Sequence, residues 1–277
     1  MNAFSCTTAT FGGSFQSKVE AMRAAGFEAT ELWAHDLFEH LEGPEVALRT
    51  LEDAGMRVSA LQAIRNVEGC SGNQRGRKLD IASRVMDLAC LAGASLVTLA
   101  ANVQPDASGD FDSLVDDLGA LALLAGERGL RIAYEPIAWA THVRTWKQAL
   151  ALIDAVDHSA LGLQLDVFHA FVRGDARIAL EEIALERLFL VEVSDFAPSH
   201  LGALDISRHY RLFPGEGMAP LPGFAFDLQQ HGYQGDLVVE IFNTAYRSMP
   251  AGPVAQRAWD SMQTVFRTRD EEQGVDR

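Results

Sequence analysis

Short apolar runs alternate along this chain with longer stretches whose apolar residues recur at helical spacing. The runs are Phe4–Thr8, Ala29–Trp33, Val58–Gln62, Leu96–Ala100, Arg131–Tyr134, Leu161–Leu165, Leu188–Val193 and Leu237–Ile241, and each reads as a buried strand. Between them, Ser17–Ala25, Glu45–Ala54, Arg77–Leu91, Leu114–Glu127 and Trp146–Val156 read as amphipathic helices. Gly26, Gly55, Gly93, Gly129 and Gly232 stand where helices should stop, each a few residues before the next strand. Strand and helix in strict alternation imply a parallel sheet. Eight such units in 277 residues predict one (β/α)8 TIM barrel over residues 1–277, with a charged, frayed tail at 269–277.

Composition narrows the partners. A formal net charge of -15 repels phosphate backbones and anionic lipid, so nucleic acid and membrane surfaces are excluded as expected partners. An acidic substrate would need a local arginine cluster. Cys6, Cys70 and Cys90 form no C-x-x-C pair, and their low, odd number suggests a reducing compartment. The start, MNAFSCTTATFGG, lacks the basic and apolar regions of a signal peptide, and no apolar stretch reaches the ~20 residues of a membrane span. The expectation is a cytoplasmic enzyme acting on a small molecule; a homo-oligomer is compatible with all of this.

Four acids stand at or beside strand ends: Glu135 after RIAY, Asp166 closing LGLQLD, Glu192 in LFLVEV and Glu240 after DLVV. An ionised carboxylate in a strand interior costs several kcal/mol unless it is paired or binds a metal. Four on consecutive strands converge on one barrel mouth, where barrel enzymes place their chemistry. Oxygen donors select one hard divalent ion, Mg2+ or Mn2+, with Co2+ or Zn2+ as substitutes. Salt bridges to nearby arginines are the competing explanation.

His169, three residues after Asp166, is placed to act as acid or base, or to orient a carboxylate. After the seventh strand comes a long segment, SDFAPSHLGALDISRHYRLFPGEGMAPLPG, expected to be a functional loop. It carries Ser207, Arg208, His209 and Arg211, and either Arg208 or Arg211 could hold a substrate carboxylate. Arg65, in LQAIRNVEG, is a further basic candidate, with Glu68 placed to orient it.

The strings YEPIAW, LDVFH, SRHYRLFPGEG and VVEIFN resemble the xylose-isomerase-like barrels, and within them the bacterial 3-dehydroshikimate dehydratases. LQAIRNVEG, ANVQPDASGD and DHSALGLQLDVFH are similar to that family as well, so the resemblance spans roughly Ser14 to Arg247. The strand-end acids mark only the superfamily; SRHYRLFPGEG is the more specific piece.

The resemblance implies a metal at Glu135, Asp166, Glu192 and Glu240, His169 at the reacting centre, and Ser207 and Arg211 on the substrate carboxylate. It implies a lyase converting 3-dehydroshikimate to protocatechuate and water. Glu135, Glu240 and His169 are the catalytic candidates; Arg65, Ser207 and Arg211 are the substrate-binding ones. Some members carry a dioxygenase-like second domain, which is not expected in these 277 residues. One position departs from the family: the third metal residue is usually Gln and here is Glu192. Four carboxylates around one divalent ion leave a formal -2, a poor host for a developing enolate. That departure keeps a second reading open, a metal-dependent isomerase or epimerase of a keto sugar or inosose. A non-catalytic sugar-binding barrel has little use for four converging acids. The superfamily's apurinic endonuclease branch, rich in histidine ligands and DNA-binding, fits neither the acidic charge nor the scarcity of strand-end histidines.

Overall fold

The computed structural model describes residues 2–70 and 72–267. Eight parallel strands close into a barrel in sequence order, β1 pairing with β8. The strands are β1 Phe4–Thr7, β2 Ala29–Trp33, β3 Arg57–Arg65, β4 Leu96–Ala100, β5 Arg131–Glu135, β6 Leu161–Asp166, β7 Leu188–Val193 and β8 Leu237–Val239. All eight expected strands are present. The third is longer than its apolar run and reaches Arg65; the eighth is shorter and stops one residue before Glu240.

The outer helices are α1 Phe15–Ala25, α2 Ala34–Phe38, α3 Pro44–Asp53, α4 Asn73–Leu91, α5 Phe111–Gly126, α6 Trp146–Val156, α7 Val167–Phe171, α8 Ala203–His209, α9 Leu221–His231, α10 Thr244–Arg247 and α11 Ala251–Phe266. The five helices expected from periodicity are α1, α3, α4, α5 and α6. Each of the five glycines has positive φ. Gly26 shows why: its φ of 115° ends α1 in the left-handed region, and any Cβ there would press on the Trp259 ring. The expected tail at 269–277 lies outside the described residues.

Most apolar burial lies between the barrel and its helices, in one continuous cluster. A small second cluster, Ala60, Leu96, Ala133, Leu190 and Val238, packs inside the barrel as its floor. Above that floor the inward positions turn polar. Asp166 and Glu192 are register partners on β6 and β7, and the alternation of the strand points both inward. On β5, β7 and β8 the floor residue and the mouth acid stand two residues apart: Ala133 and Glu135, Leu190 and Glu192, Val238 and Glu240.

The segment after β7 is not the open loop that its length suggests. It contains α8, and it returns to the barrel through antiparallel bridges Asp195–Leu212 and Tyr210–Asn243. Buried Asp195 holds the Pro-Gly-Glu-Gly turn by accepting from the backbone N–H of Gly215 (3.1 Å), Gly217 (2.9 Å) and Ala219 (2.9 Å). A Cβ on Gly217 would collide with the Phe196 carbonyl, so the turn requires glycine there. No helix among the described residues is long and apolar enough to cross a membrane.

Candidate active site

Glu135 ends β5, Asp166 ends β6, Glu192 lies one residue inside the end of β7, and Glu240 directly follows β8. One carboxylate oxygen of each lies within 4.8 Å of the others, and all four residues are buried. A second grouping joins Glu135, Asp166 and His169. His169 sits on α7, whose first turn is capped by the Asp166 side chain accepting from Phe168 N–H at 3.0 Å. That cap sets the ring beside the carboxylates. Nε2 of His169 lies 3.2 Å from Glu135 and 3.4 Å from Asp166, while Nδ1 accepts from the Ala138 N–H at 3.3 Å. In the neutral ring this pattern puts the proton on Nε2, facing the acids.

Arg211 lies within this cluster. It is 2 % exposed, and Nη1 donates to Asp166 at 2.8 Å and lies 3.0 Å from Glu240. Nη1 also reaches Ser194 Oγ (3.2 Å), and Nη2 donates to Ser207 Oγ (3.1 Å). The guanidinium stacks on Phe168, 4.4 Å from its centroid. Burial works against its charge, but Asp166, Glu240, Glu192 and Glu135 outweigh that and push its pKa up. Ser207 and Arg211 are therefore brought to the site, with Arg211 turned down onto the acids.

Gln62 of β3 donates to Glu240 through its amide and accepts from Thr7 at 3.5 Å. Burial pushes the Glu240 carboxyl up, and Arg211 and Gln62 pull it back. Glu192 has no such relief. Its two oxygens are fully buried and meet no N–H or O–H donor. Burial, and then the charges of Glu240, Glu31, Glu135 and Asp166, push its carboxyl well above the usual carboxylate range. An orphaned buried carboxylate aimed into three others is a cation-binding geometry, and an all-oxygen donor set suits a hard divalent ion.

At the mouth, Arg65, Trp139, Ser207, Arg208 and Phe242 line a cavity of about 30 Å³ together with Glu135, His169, Arg211 and Glu240. Arg208 lies over the rings of Trp139 (5.8 Å) and Phe242 (5.5 Å). Burial and then the nearby Arg65 lower its pKa. Neither Arg65 nor Arg208 forms a salt bridge among the described residues, whereas Arg211 forms two. The expectation that Glu68 orients Arg65 is not met. Glu68 is buried and accepts from Asn102 N–H at 2.5 Å and Tyr134 Oη at 3.0 Å, so it joins β3 to β4 and β5. Burial pushes its carboxyl up to about 7.

Sequence reasoning missed Glu31, in the middle of β2. It is fully buried, neither oxygen meets a donor among the described residues, and burial, then the charge of Glu240, push its carboxyl well above the usual carboxylate range. The signal was present: an acid inside the apolar run ATELW breaks the same rule as the four strand-end acids.

The xylose isomerase-like TIM barrel family model matches residues 19–265. The 3-dehydroshikimate dehydratase of Pseudomonas putida is 38% identical over 263 residues, which are 95% of this chain and 41% of that protein. The chain thus spans about two fifths of the length of the first curated relatives that it matches. The inosose isomerase of Halalkalibacterium halodurans is 29% identical over 54% of this chain and 52% of its own. Among solved structures, a xylose isomerase-like TIM barrel/4-hydroxyphenylpyruvate dioxygenase fusion protein superposes with a TM-score of 0.93 at 36% identity, covering 98% of this chain and 44% of that one. By the family model, by these likenesses and by its closed barrel, the chain belongs to the xylose isomerase-like TIM barrel family.

Proposed function

We propose that this barrel is a divalent-metal-dependent lyase that dehydrates 3-dehydroshikimate to protocatechuate. The observation that carries this reading is one mouth with two halves: four buried carboxylates, and beside them two arginines, Arg65 and Arg208, that no carboxylate neutralises among the described residues. The likeness to 3-dehydroshikimate dehydratases over 95% of the chain supports it.

Glu135, Asp166, Glu192 and Glu240 would hold the ion, Mg2+ or Mn2+ by the hardness of their oxygens. When bound, a divalent ion supplies Lewis acidity to the substrate ketone, which acidifies the neighbouring C–H. Arg211 changes the charge count. Four carboxylates and one guanidinium carry a formal -3, and a divalent ion brings the shell to -1. That is less hostile to a developing enolate than the -2 of the carboxylates and ion alone. Arg211 thus serves as the counter-charge of the shell, and the substrate carboxylate falls to Arg208 and Arg65. Arg208 is already held on two aromatic faces, so little freedom is lost on binding.

Proton movement follows from His169. Glu135 takes the proton alpha to the ketone. His169 Nε2–H, 3.2 Å away, donates to Glu135 and keeps that carboxyl oriented. Glu135 then gives the proton it has taken to the departing hydroxyl. The sum is one proton moved from carbon to the oxygen that leaves as water, and tautomerisation completes the aromatic ring.

A second reading, isomerisation of a keto sugar or inosose, is favoured by the likeness to inosose isomerases. The test is one assay: protein with Mn2+ or Mg2+ and 3-dehydroshikimate, monitored for the ultraviolet absorbance of protocatechuate, with inosose in a parallel arm. Product that disappears with chelator and returns with metal supports the lyase. Turnover of inosose alone moves the assignment to the isomerase.

A further inference from the structure

Three loops of the mouth are joined through one buried asparagine. The first begins at Asn66, directly after Arg65 ends β3. The second, 101–110, links β4 to α5, and the third, 136–145, links β5 to α6 and carries Trp139. Asn102 stands near the start of the second and is 5 % exposed. Its backbone N–H donates to Glu68 Oε1 at 2.5 Å, and its side-chain amide donates to the Glu68 carbonyl at 2.7 Å. Its Oδ1 accepts from the Gln104 N–H at 2.9 Å, and its carbonyl accepts from the Thr141 N–H at 2.9 Å. One residue thus bonds to the first loop, to its own and to the third.

Neighbouring bonds tighten the same seam. Asn66 Oδ1 accepts from the Val103 N–H at 3.0 Å, and Thr141 Oγ1 donates to the Gln104 carbonyl at 2.8 Å. A Cβ on Gly69 would collide with the Ser108 carbonyl, so the first two loops meet backbone to backbone. The two ends of the seam face the mouth: Arg65 and Trp139 both line its cavity, and Asn102 does not. The Trp139 ring meets that of His169 edge-on at 5.0 Å and lies under the Arg208 guanidinium at 5.8 Å. A buried amide costs free energy unless its groups are paired, and a fully paired one fixes the geometry of what it joins.

We propose that Asn102 is a positioning residue for substrate recognition. It sets the spacing between Arg65 and Trp139, and through Trp139 the place of Arg208, so that the two guanidiniums meet one carboxylate together. An amide suits this because it donates to one loop and accepts within its own. Aspartate keeps the acceptor and loses the donor to the Glu68 carbonyl; alanine loses both. The substrate carboxylate is not altered in the reaction, so its grip holds ground state and transition state alike. Loosening that grip therefore shows in KM and leaves kcat nearly unchanged.

This inference rests on the lyase reading, in which Arg65 and Arg208 hold the substrate carboxylate, and the experiment separates the two. KM and kcat for 3-dehydroshikimate at saturating Mn2+, and calorimetric affinities for protocatechuate and for Mn2+, are compared for wild type, Asn102→Ala, Asn102→Asp and Asp110→Ala. Asp110 caps α5 from the same loop, accepting from the Ser113 N–H at 3.0 Å, and serves as the control for general loosening. Both Asn102 variants are expected to raise KM and weaken protocatechuate binding roughly 10–100-fold, the cost of a misplaced binding group. Their kcat and Mn2+ affinity should stay within about 3-fold of wild type. Asp110→Ala should lower the melting temperature and leave KM unchanged. In an Arg65→Ala background, Asn102→Ala should add less to KM than it does in wild type, because part of what it positions is gone. If Asn102→Ala does not fold, Asn102→Asp carries the test. An unchanged KM in the Asn102 variants overturns the proposal, as do an equal rise in Asp110→Ala, full additivity with Arg65→Ala, or a loss of Mn2+ affinity that matches the rise in KM. If the wild-type chain with Mn2+ forms no protocatechuate, the lyase reading fails and this inference falls with it.

Discussion

The two halves of the barrel divide the site between them. The strands β5 to β8 each deliver one carboxylate to the mouth. The strands β1 to β4 deliver none to that set, and their polar residues stand behind or beside it: Gln62 on Glu240, and Thr10, just past β1, on the N–H of Ile241, the residue after Glu240, at 3.1 Å. Glu68 of the β3–β4 connection braces Tyr134, the residue before Glu135. One half supplies the ligands and the other fixes their orientation. Closure makes this division possible, because β1 and β8 are neighbours although they stand at opposite ends of the sequence. An open sheet of the same strands would leave Gln62 far from Glu240.

Substitutions in the second half should break this division most severely. Asp166→Asn removes an ion ligand, the cap of α7 and a partner of Arg211 together. Its affinity for Mn2+ is expected to fall by more than the ~100-fold that bounds the loss of an outer orienting residue. Calorimetric titration checks this, and a loss no greater than that of Gln62→Ala, which removes only the donor to Glu240, would erase the distinction between ligand and support.

Arg211→Ala comes next. It strips the counter-charge from Asp166 and Glu240 and leaves both buried. Breaking a buried pair in this way costs about 3–5 kcal/mol. Urea denaturation of the metal-free protein should show that loss, and saturating Mn2+ should narrow it because the cation then compensates the acids. An equal loss with and without Mn2+ would mean that Arg211 is not a counter-charge.

Glu68 tests the first half. Burial raises its folded pKa to about 7, above its ordinary value of 4.5. The folded state therefore holds a proton that the unfolded state has released between those values. The resulting contribution to stability is complete below about pH 4.5 and is lost as pH rises to about 7. Glu68→Gln, which still offers an oxygen to Asn102 and Tyr134, should flatten that decline by about 3 kcal/mol across the window. Parallel pH slopes for variant and wild type would show that the carboxyl is not held neutral.

The smallest effect is expected at Glu192→Gln. Glutamine keeps the size and one oxygen for the ion and removes one formal charge from the shell, so protocatechuate formation should stay within a few-fold of wild type or rise. A fall of ~100-fold or more, typical of a lost general base, would instead make Glu192 the base of an isomerase.

The strands, the helix-ending glycines and the four mouth acids were all legible in the chain, because each leaves a local mark: a run, a stop, or a charge where charge is costly. Glu31 left the same mark inside ATELW but stood in the half of the barrel where no ligand was sought. Arg211 was legible as a cation near the site, but not its direction. That direction depends on α8 and on the Asp195 contacts that fold the segment after β7 back over the barrel. The length of that segment read as an open loop because the bridges to Leu212 and Asn243 join residues with no periodic signal between them.

By itself, then, the sequence determined which elements form and which residue types reach the C-terminal ends of the strands, since period, capping and burial cost act over a few residues. Only the tertiary structure decided which charges meet. Arg211 lies 45 residues from Asp166 and bonds it, while Arg65 and Arg208 form no salt bridge among the described residues. Closure of the barrel sets those distances, and at 3 Å a change of one or two ångströms separates a buried ion pair from a free guanidinium.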